Sequence, residues 1–280
     1  MTPETARCIR NASGFIFDMD GTIALGDAAS GGHRALPGAV ALVTALKARS
    51  IPICVFTNGT AKPPAAYAAS LRHAGLDVAD AEMMTPSSSA ARWFVKQGIS
   101  RVRVLGTAGV AAPLRDAGIT CIGASEAAKD VQAVYTGWFR EFTFPDLEAA
   151  CQSVWDGAIL TTASHVPFFA TATGRGIGSS FAINTMVTAM TGKRARVLGK
   201  PSRIAFDAAA EVMGVAKADR PQIVIVGDDP ALEMRMAHDA GATGIGMTTG
   251  IMKLDGFAAL KTHERPHAIM DSLQPLMALI

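Results

Sequence analysis

The chain has 280 residues, 49% of them hydrophobic and 18% charged, with a net charge of +2. This composition excludes a disordered or fibrous chain and allows one large or two ordinary domains with buried cores. No basic tract interleaved with aromatics marks a nucleic-acid surface and no apolar run reaches the roughly 18 residues of a membrane span, so neither nucleic acid nor membrane is an expected partner. The opening Met1–Arg7 carries Pro3 and Glu4 but lacks the apolar core of a signal peptide, so a cytoplasmic protein is expected. Four scattered cysteines form no C-x-x-C pair, and small buried thiols are the expectation. His263 and His267 have metal-ligand spacing, but Pro266 breaks the helix that would place them on one face.

The first predicted strand, Gly14–Phe17, ends in Asp18-Met19-Asp20-Gly21. Alternate residues of an extended chain share a side, so Asp18 and Asp20 face one way while Met19 faces the other. Two such charges repel by about 4 kcal/mol at 4 Å and an effective dielectric near 20. A divalent cation, a lysine or a shared proton must offset that repulsion, unless the stretch is only a polar turn. Next, Pro37–Arg49 carries Ala39, Leu42, Val43 and Leu46 at helical spacing, and Ile51–Phe56 reads as a second strand. It ends in Thr57-Asn58-Gly59-Thr60, either an ordinary loop or a hydroxyl and backbone N–H groups offered to an anion.

From about Gly98 to Gly178 the chain supplies strands of its own, Val102–Leu105, Val131–Thr136 and Ala158–Thr161, and a helix over Pro145–Trp155. This stretch is too long for a loop, so an inserted α/β cap domain is expected over 98–178, with a discontinuous core of 1–97 and 179–280. Gly174-Arg175-Gly176-Ile177-Gly178 is expected to turn where the insert rejoins the core. Beyond it, Val197-Leu198-Gly199 leads into Lys200-Pro201-Ser202, where proline opens a helix to Met213 and leaves Lys200 at its mouth. As a lone lysine it would be solvent-exposed. The strand Gln222–Val226 ends in Gly227-Asp228-Asp229-Pro230. Asp229 before proline is a well-formed helix N-cap, which leaves Asp228 as a strand-end acid like Asp18. A helix runs from there to Gly241 and a last strand covers Thr243–Met247.

Alternating strands and helices at both ends predict an α/β fold, a doubly wound parallel sheet with reactive groups beyond the carboxyl ends of its strands. Asp-x-Asp, threonine, lysine and Gly-Asp-Asp follow one another in that pattern. Three carboxylates beside a phosphate dianion would be intolerable alone, whereas Mg²⁺ and Lys200 supply countercharge where phosphoryl transfer requires it.

With these four motifs the chain resembles the haloacid dehalogenase (HAD) superfamily of aspartate-nucleophile phosphohydrolases. Its insert is similar to the class II (C2) cap of the NagD-like branch of 4-nitrophenylphosphatases and phosphoglycolate phosphatases, in Val134–Trp138, Phe142–Phe144 and Gly174–Gly178. The resemblance implies a Rossmann-like core and a Mg²⁺-dependent phosphomonoesterase acting on a small phosphorylated metabolite through an aspartyl-phosphate. Asp18 is then the nucleophile, Asp20 the acid and base, and Lys200 the group that orients Asp18. Thr57, Asn58 and Gly59 would hold the phosphoryl group, and Mg²⁺ would take oxygens from Asp18, the Asp20 carbonyl and Asp228. A homodimer through the cap is also implied.

Relatives often carry a second Asp five residues after the first in the last motif, where this chain has Glu233, with Asp229 added beside Asp228; both are candidates for supporting the metal. The cap's Thr-Asn-x-Asp stretch is replaced by Thr162-Ala163-Ser164-His165, so substrate recognition does not transfer, and His165 is the specificity candidate. A mutase-like phosphoryl transfer is the alternative chemistry. A nucleotide-binding module built on Gly174-x-Gly176-x-Gly178 is a weaker one, being a residue short of the dinucleotide fingerprint. Ser164 beside His165 lacks the elbow of a hydroxyl-nucleophile hydrolase.

Overall fold

The computed structural model describes residues 1–27, 32–171, 174–258 and 260–280. In chain order the strands are β1 (Gly14–Phe17), β2 (Ala24–Asp27), β3 (Gly32–Ala35), β4 (Ile53–Phe56), β5 (Met83–Met84), β6 (Arg101–Leu105), β7 (Thr120–Ile122) and β8 (Ala133–Thr136). They continue with β9 (Ile159–Thr162), β10 (Phe168–Thr171), β11 (Gly174–Ile177), β12 (Arg196–Val197), β13 (Ile223–Gly227), β14 (Thr243–Met247) and β15 (Ala268–Met270). Two compact units form, one of Met1–Thr57, Ala65–Met84 and Phe206–Ile280, the other of Asn58–Pro64 and Thr85–Ala205.

The first unit is built on a six-stranded sheet in the order β15-β14-β13-β1-β4-β5, every neighbouring pair parallel. All residues of β1, β4 and β13 are buried. That explains their continuous apolar runs: a parallel sheet is covered on both faces and has no wet side to alternate with. The helix Ala39–Ala48 turns Ala39, Leu42, Val43 and Leu46 inward, and Tyr67, Ala68 and Leu71 do the same from Pro64–His73. From β1 the chain steps to β4 and β5 on one side, then returns to β13, β14 and β15 on the other. The strand order therefore reverses at β1, and ligands of such sheets bind outside the carboxyl ends at that point.

The second unit carries its own parallel sheet, β12-β9-β8-β6-β7. One face packs on the helices Pro86–Lys96 and Ala108–Asp116 through Phe94, Val110 and Leu114, the other on Phe144–Trp155 and Ser179–Thr191 through Leu147, Val154, Ile183 and Val187. Tyr135 of β8 is fully buried against the edge of Phe94, which pushes its phenol pKa upward. This unit is wider than the 98–178 segment marked out by sequence, because those flanking helices cover its sheet and β12 pairs with β9.

The glycine-rich stretch departs from expectation. Gly174–Ile177 is a strand, paired antiparallel with Phe168–Thr171 in a hairpin, and not a turn. Backbone pairing there is supplied by β10, so the glycines need no turn conformation. All four cysteines are free thiols, with Cys54 and Cys151 buried. Among the described residues no helix is long and apolar enough to cross a membrane.

Candidate active site

Parallel pairing brings three polar strand ends of the first unit side by side. Phe17 pairs with Val226 and with Val55, and the Asp18 N–H donates to the Val226 carbonyl at 2.8 Å. Asp18 therefore emerges beside Gly227-Asp228, and Thr57 leaves the neighbouring β4, its N–H donating to the Met84 carbonyl at 3.2 Å. Asp18, Thr57 and Asp228 are only 8%, 6% and 5% exposed. Two nearly buried carboxylates at the ends of paired strands call for countercharge.

The carboxylate of Asp228 sits in a glycine cradle. Its Oδ2 accepts from the Ile251 N–H at 2.8 Å. A Cβ on Gly21 would lie 2.6 Å from that oxygen, and a Cβ on Gly250 would run into it. Gly21 also has φ of +82°, and the Thr249 hydroxyl donates to its carbonyl. The turn after β1 and the loop after β14 thus close on Asp228 only because neither carries a side chain there. Gly21→Ala combines a left-handed backbone with this clash and should lower stability by about 1–3 kcal/mol, read from urea unfolding.

Asp229 caps the turn Pro230–Met234, its Oδ1 accepting from the Ala231 N–H at 2.9 Å, as the Asp-Pro pair predicts. Glu233 is 1% exposed and its Oε2 accepts from the Asp229 N–H at 3.1 Å. Its side chain occupies the space that a Cβ on Gly227 would fill. Both acids therefore fix the loop that presents Asp228. Asp20 stands apart in exposure, with 55% of its side chain accessible, and its Oδ1 lies 3.8 Å from Nε2 of His33.

In the second unit Asn58 grips the main chain of Lys200 in both directions. Its Oδ1 accepts from the Lys200 N–H at 3.0 Å and its Nδ2 donates to the Lys200 carbonyl at 3.1 Å. Gly199 permits this, because a Cβ there would press on Asn58 Oδ1 and the Ala163 carbonyl. Lys200 is 1% exposed, against the expectation for a lone lysine, and Asn58 holds its backbone at the bend of Gly199. Gly59 lies in the same short segment as Asn58.

His165 lies on an exposed loop, edge-on to Phe181 at 6.3 Å, and partial burial of its ring lowers its pKa. That loop is braced from inside. Thr136 Oγ1 donates to Thr162 Oγ1 at 3.1 Å, which donates on to the Ser164 carbonyl at 3.1 Å. The Ser164 hydroxyl accepts from the Val166 N–H at 3.1 Å, so it serves the loop and does not form a pair with its neighbour His165.

Asp18, Asp20, Thr57 and Asp228, with Asp229 and Glu233 behind them, are thus gathered at one sheet end. Asn58 and Lys200 are joined in the other unit, and His165 lies on a loop of that unit. Sequence reasoning missed His33, Thr249, Gly250 and Ile251. The Thr-Thr-Gly run that follows β14 was the available signal for the loop residues, and His33 had none. Among the described residues no three His, Cys, Asp or Glu side chains cluster as metal ligands. Asp18 and Asp228 at the ends of paired strands, the latter in its glycine cradle, still offer hard oxygen donors of the kind Mg²⁺ takes when a main-chain carbonyl, water and phosphate complete its shell. The residues fit the ion.

The doubly wound sheet with acids at the ends of β1 and β13 falls within the reach of two family models of one hydrolase class. The family model described as haloacid dehalogenase-like hydrolase matches residues 15–120, and one described as HAD-hydrolase-like matches 197–276. The chain belongs to the haloacid dehalogenase-like hydrolases. Within them it is similar to chronophin of Mus musculus, 27% identical over 95% of this chain and 92% of chronophin. Its fold matches the 4-nitrophenylphosphatase of Thermotoga maritima with a TM-score of 0.85 and 24% identity, covering 98% of this chain and 99% of that one. It also matches a glycerol phosphate phosphatase of Mycobacterium tuberculosis solved in complex with calcium, with a TM-score of 0.81 and 22% identity over 96% and 76% of the two chains.

Proposed function

We propose that the protein is a divalent-metal-dependent phosphatase that hydrolyses a small phosphorylated metabolite through an aspartyl-phosphate on Asp18. The observation that carries this reading is the placement of Asp18 and Asp228 on paired strands, buried, with the Asp228 carboxylate cradled by Gly21 and Gly250. The phosphatases among the relatives support the class of reaction, and the calcium bound to one of them supports a divalent ion.

In this reading an Asp18 oxygen attacks phosphorus, and the bond from phosphorus to the ester oxygen breaks in line. Asp20, exposed and two residues along, gives its proton to the departing oxygen. Water then attacks the aspartyl-phosphate, Asp20 accepts its proton, and Asp18 is restored as inorganic phosphate leaves. The Thr57 hydroxyl and the backbone N–H groups of Asn58 and Gly59 hold phosphoryl oxygens. Lys200 is the cation assigned to the chemistry, and its main chain is already fixed by Asn58. Mg²⁺, held by Asp18, Asp228 and the Asp20 carbonyl, would contribute positive charge to stabilise the transferring group. Glu233 and Asp229 keep Asp228 in place, and His165 contacts the alcohol portion of the substrate.

The test is phosphate release from a panel of sugar phosphates, nucleotides, phosphoglycolate, glycerol phosphate and pyridoxal phosphate, with Mg²⁺ supplied. Turnover of at least one member is expected. Inactivity across the whole panel and on 4-nitrophenyl phosphate would overturn the reading.

A further inference from the structure

The hairpin β2–β3 begins and ends beside Asp20. Asp20 and Ala24 form an isolated bridge, the Gly21 N–H donates to the Ala24 carbonyl at 2.9 Å, and the returning Leu36 N–H donates to the Ile23 carbonyl at 2.9 Å. His33 on the returning strand pairs with Gly26 and has only 9% of its side chain accessible. Its ring is held from one side: Nδ1 lies 2.8 Å from Ser70 Oγ, and the face tilts against Tyr67 at 6.4 Å. The other nitrogen, Nε2, lies 3.8 Å from Asp20 Oδ1.

We infer that His33 is a positioning residue for Asp20, fixing the rotation of its carboxyl group through an N–H directed at Oδ1. This rests on the reading of Asp20 as the acid that protonates the leaving oxygen. If Ser70 Oγ is the donor to Nδ1, the neutral imidazole carries its proton on Nε2, the nitrogen nearer Asp20. An N–H donated to Oδ1 leaves the acidic proton on Oδ2, turned toward the leaving group. The gap of 3.8 Å exceeds a hydrogen bond by about 0.6 to 0.8 Å, and contacts of this kind tighten when substrate closes the site. Without the ring, the carboxyl loses one of its restraints, samples more rotations and presents its proton in a smaller fraction of them. No bond is made or broken at His33 itself.

A structural residue would lower activity on every ester alike, whereas one that positions an acid matters most when the leaving group is poor. The experiment compares kcat/KM for phenyl phosphate and 4-nitrophenyl phosphate, because this quantity reads only steps up to departure of the phenol. Removing an acid outright costs on the order of 10²- to 10⁴-fold, so Asp20→Asn should lose that much on phenyl phosphate and far less on the nitrophenyl ester. His33→Ala should show the same bias at about tenfold on phenyl phosphate, with a less than about twofold loss on the nitrophenyl ester. His33→Gln, which returns an N–H near the position of Nε2, should restore most of the loss. Ser70→Ala should give a smaller loss with the same bias, and it decides the matter if His33→Ala does not fold.

An equal loss on both esters, or none, in the His33 and Ser70 variants overturns the inference if Asp20→Asn keeps its bias. Absence of bias in Asp20→Asn overturns the reading of Asp20, and the inference with it.

Discussion

Asp18→Asn is expected to reduce phosphate release by 10⁴-fold or more, on the order of what loss of a nucleophile costs in other covalent hydrolases. Asparagine keeps the shape of the side chain, and the N–H of residue 18 still donates to Val226. Thermal unfolding in chelator should therefore show no loss of stability. Acid quenching during turnover of a ³²P-labelled substrate should leave label on the wild-type chain and none on the variant. A folded variant that retains more than about one hundredth of the wild-type rate would remove Asp18 from the role of nucleophile.

What the sequence could reveal was whatever local rules control. β1 and β14 fall on their predicted residues, β1 because an apolar run buried on both faces and stopped by polar turn residues has few other interpretations. Asp229 was legible as a cap because Asp-Pro is a local signal, and that left Asp228 to be read as functional. The β2–β3 hairpin was not legible. Ala24-Leu25-Gly26-Asp27 and Gly32-His33-Arg34-Ala35 lack the alternation that marks strands, and their pairing is set by the turn that follows Asp20. For the same reason the approach of His33 to Asp20 had no trace in the sequence.

The burial of Lys200 was equally hidden. Its backbone is clamped by Asn58, 142 residues earlier in the chain, and Gly199 leaves room for that amide, neither of which local sequence shows. The glycines of β11 misled because glycine signals turns statistically, whereas an antiparallel partner accepts it without penalty to the pairing itself. Gly21 and Gly250 are the instructive contrast, since there the missing side chain is what lets Asp228 occupy its place.

Asp228→Asn and chelation of the wild-type protein should converge on one defect. The amide oxygen of the substituted side chain would still accept from the Ile251 N–H, which holds the wild-type carboxylate at 2.8 Å, so the loop should stay closed and the charge alone is lost. If Asp228 is a metal ligand, the Mg²⁺ concentration for half-maximal activity should rise by at least the roughly 10- to 100-fold that loss of a ligand's supporting partner costs. A readout independent of activity accompanies it: ligand binding to the folded state stabilises by about 2.7 kcal/mol at a hundredfold excess over Kd. Magnesium should therefore raise the wild-type Tm and leave that of Asp228→Asn almost unmoved at the same concentration. Chelator should cost the wild-type protein most of its activity and the variant little more than it has already lost, because two changes that remove one interaction do not add. A variant with the wild-type magnesium midpoint and the wild-type Tm shift would show that the ion is held elsewhere, and that the cradle around Asp228 serves the fold instead of the chemistry.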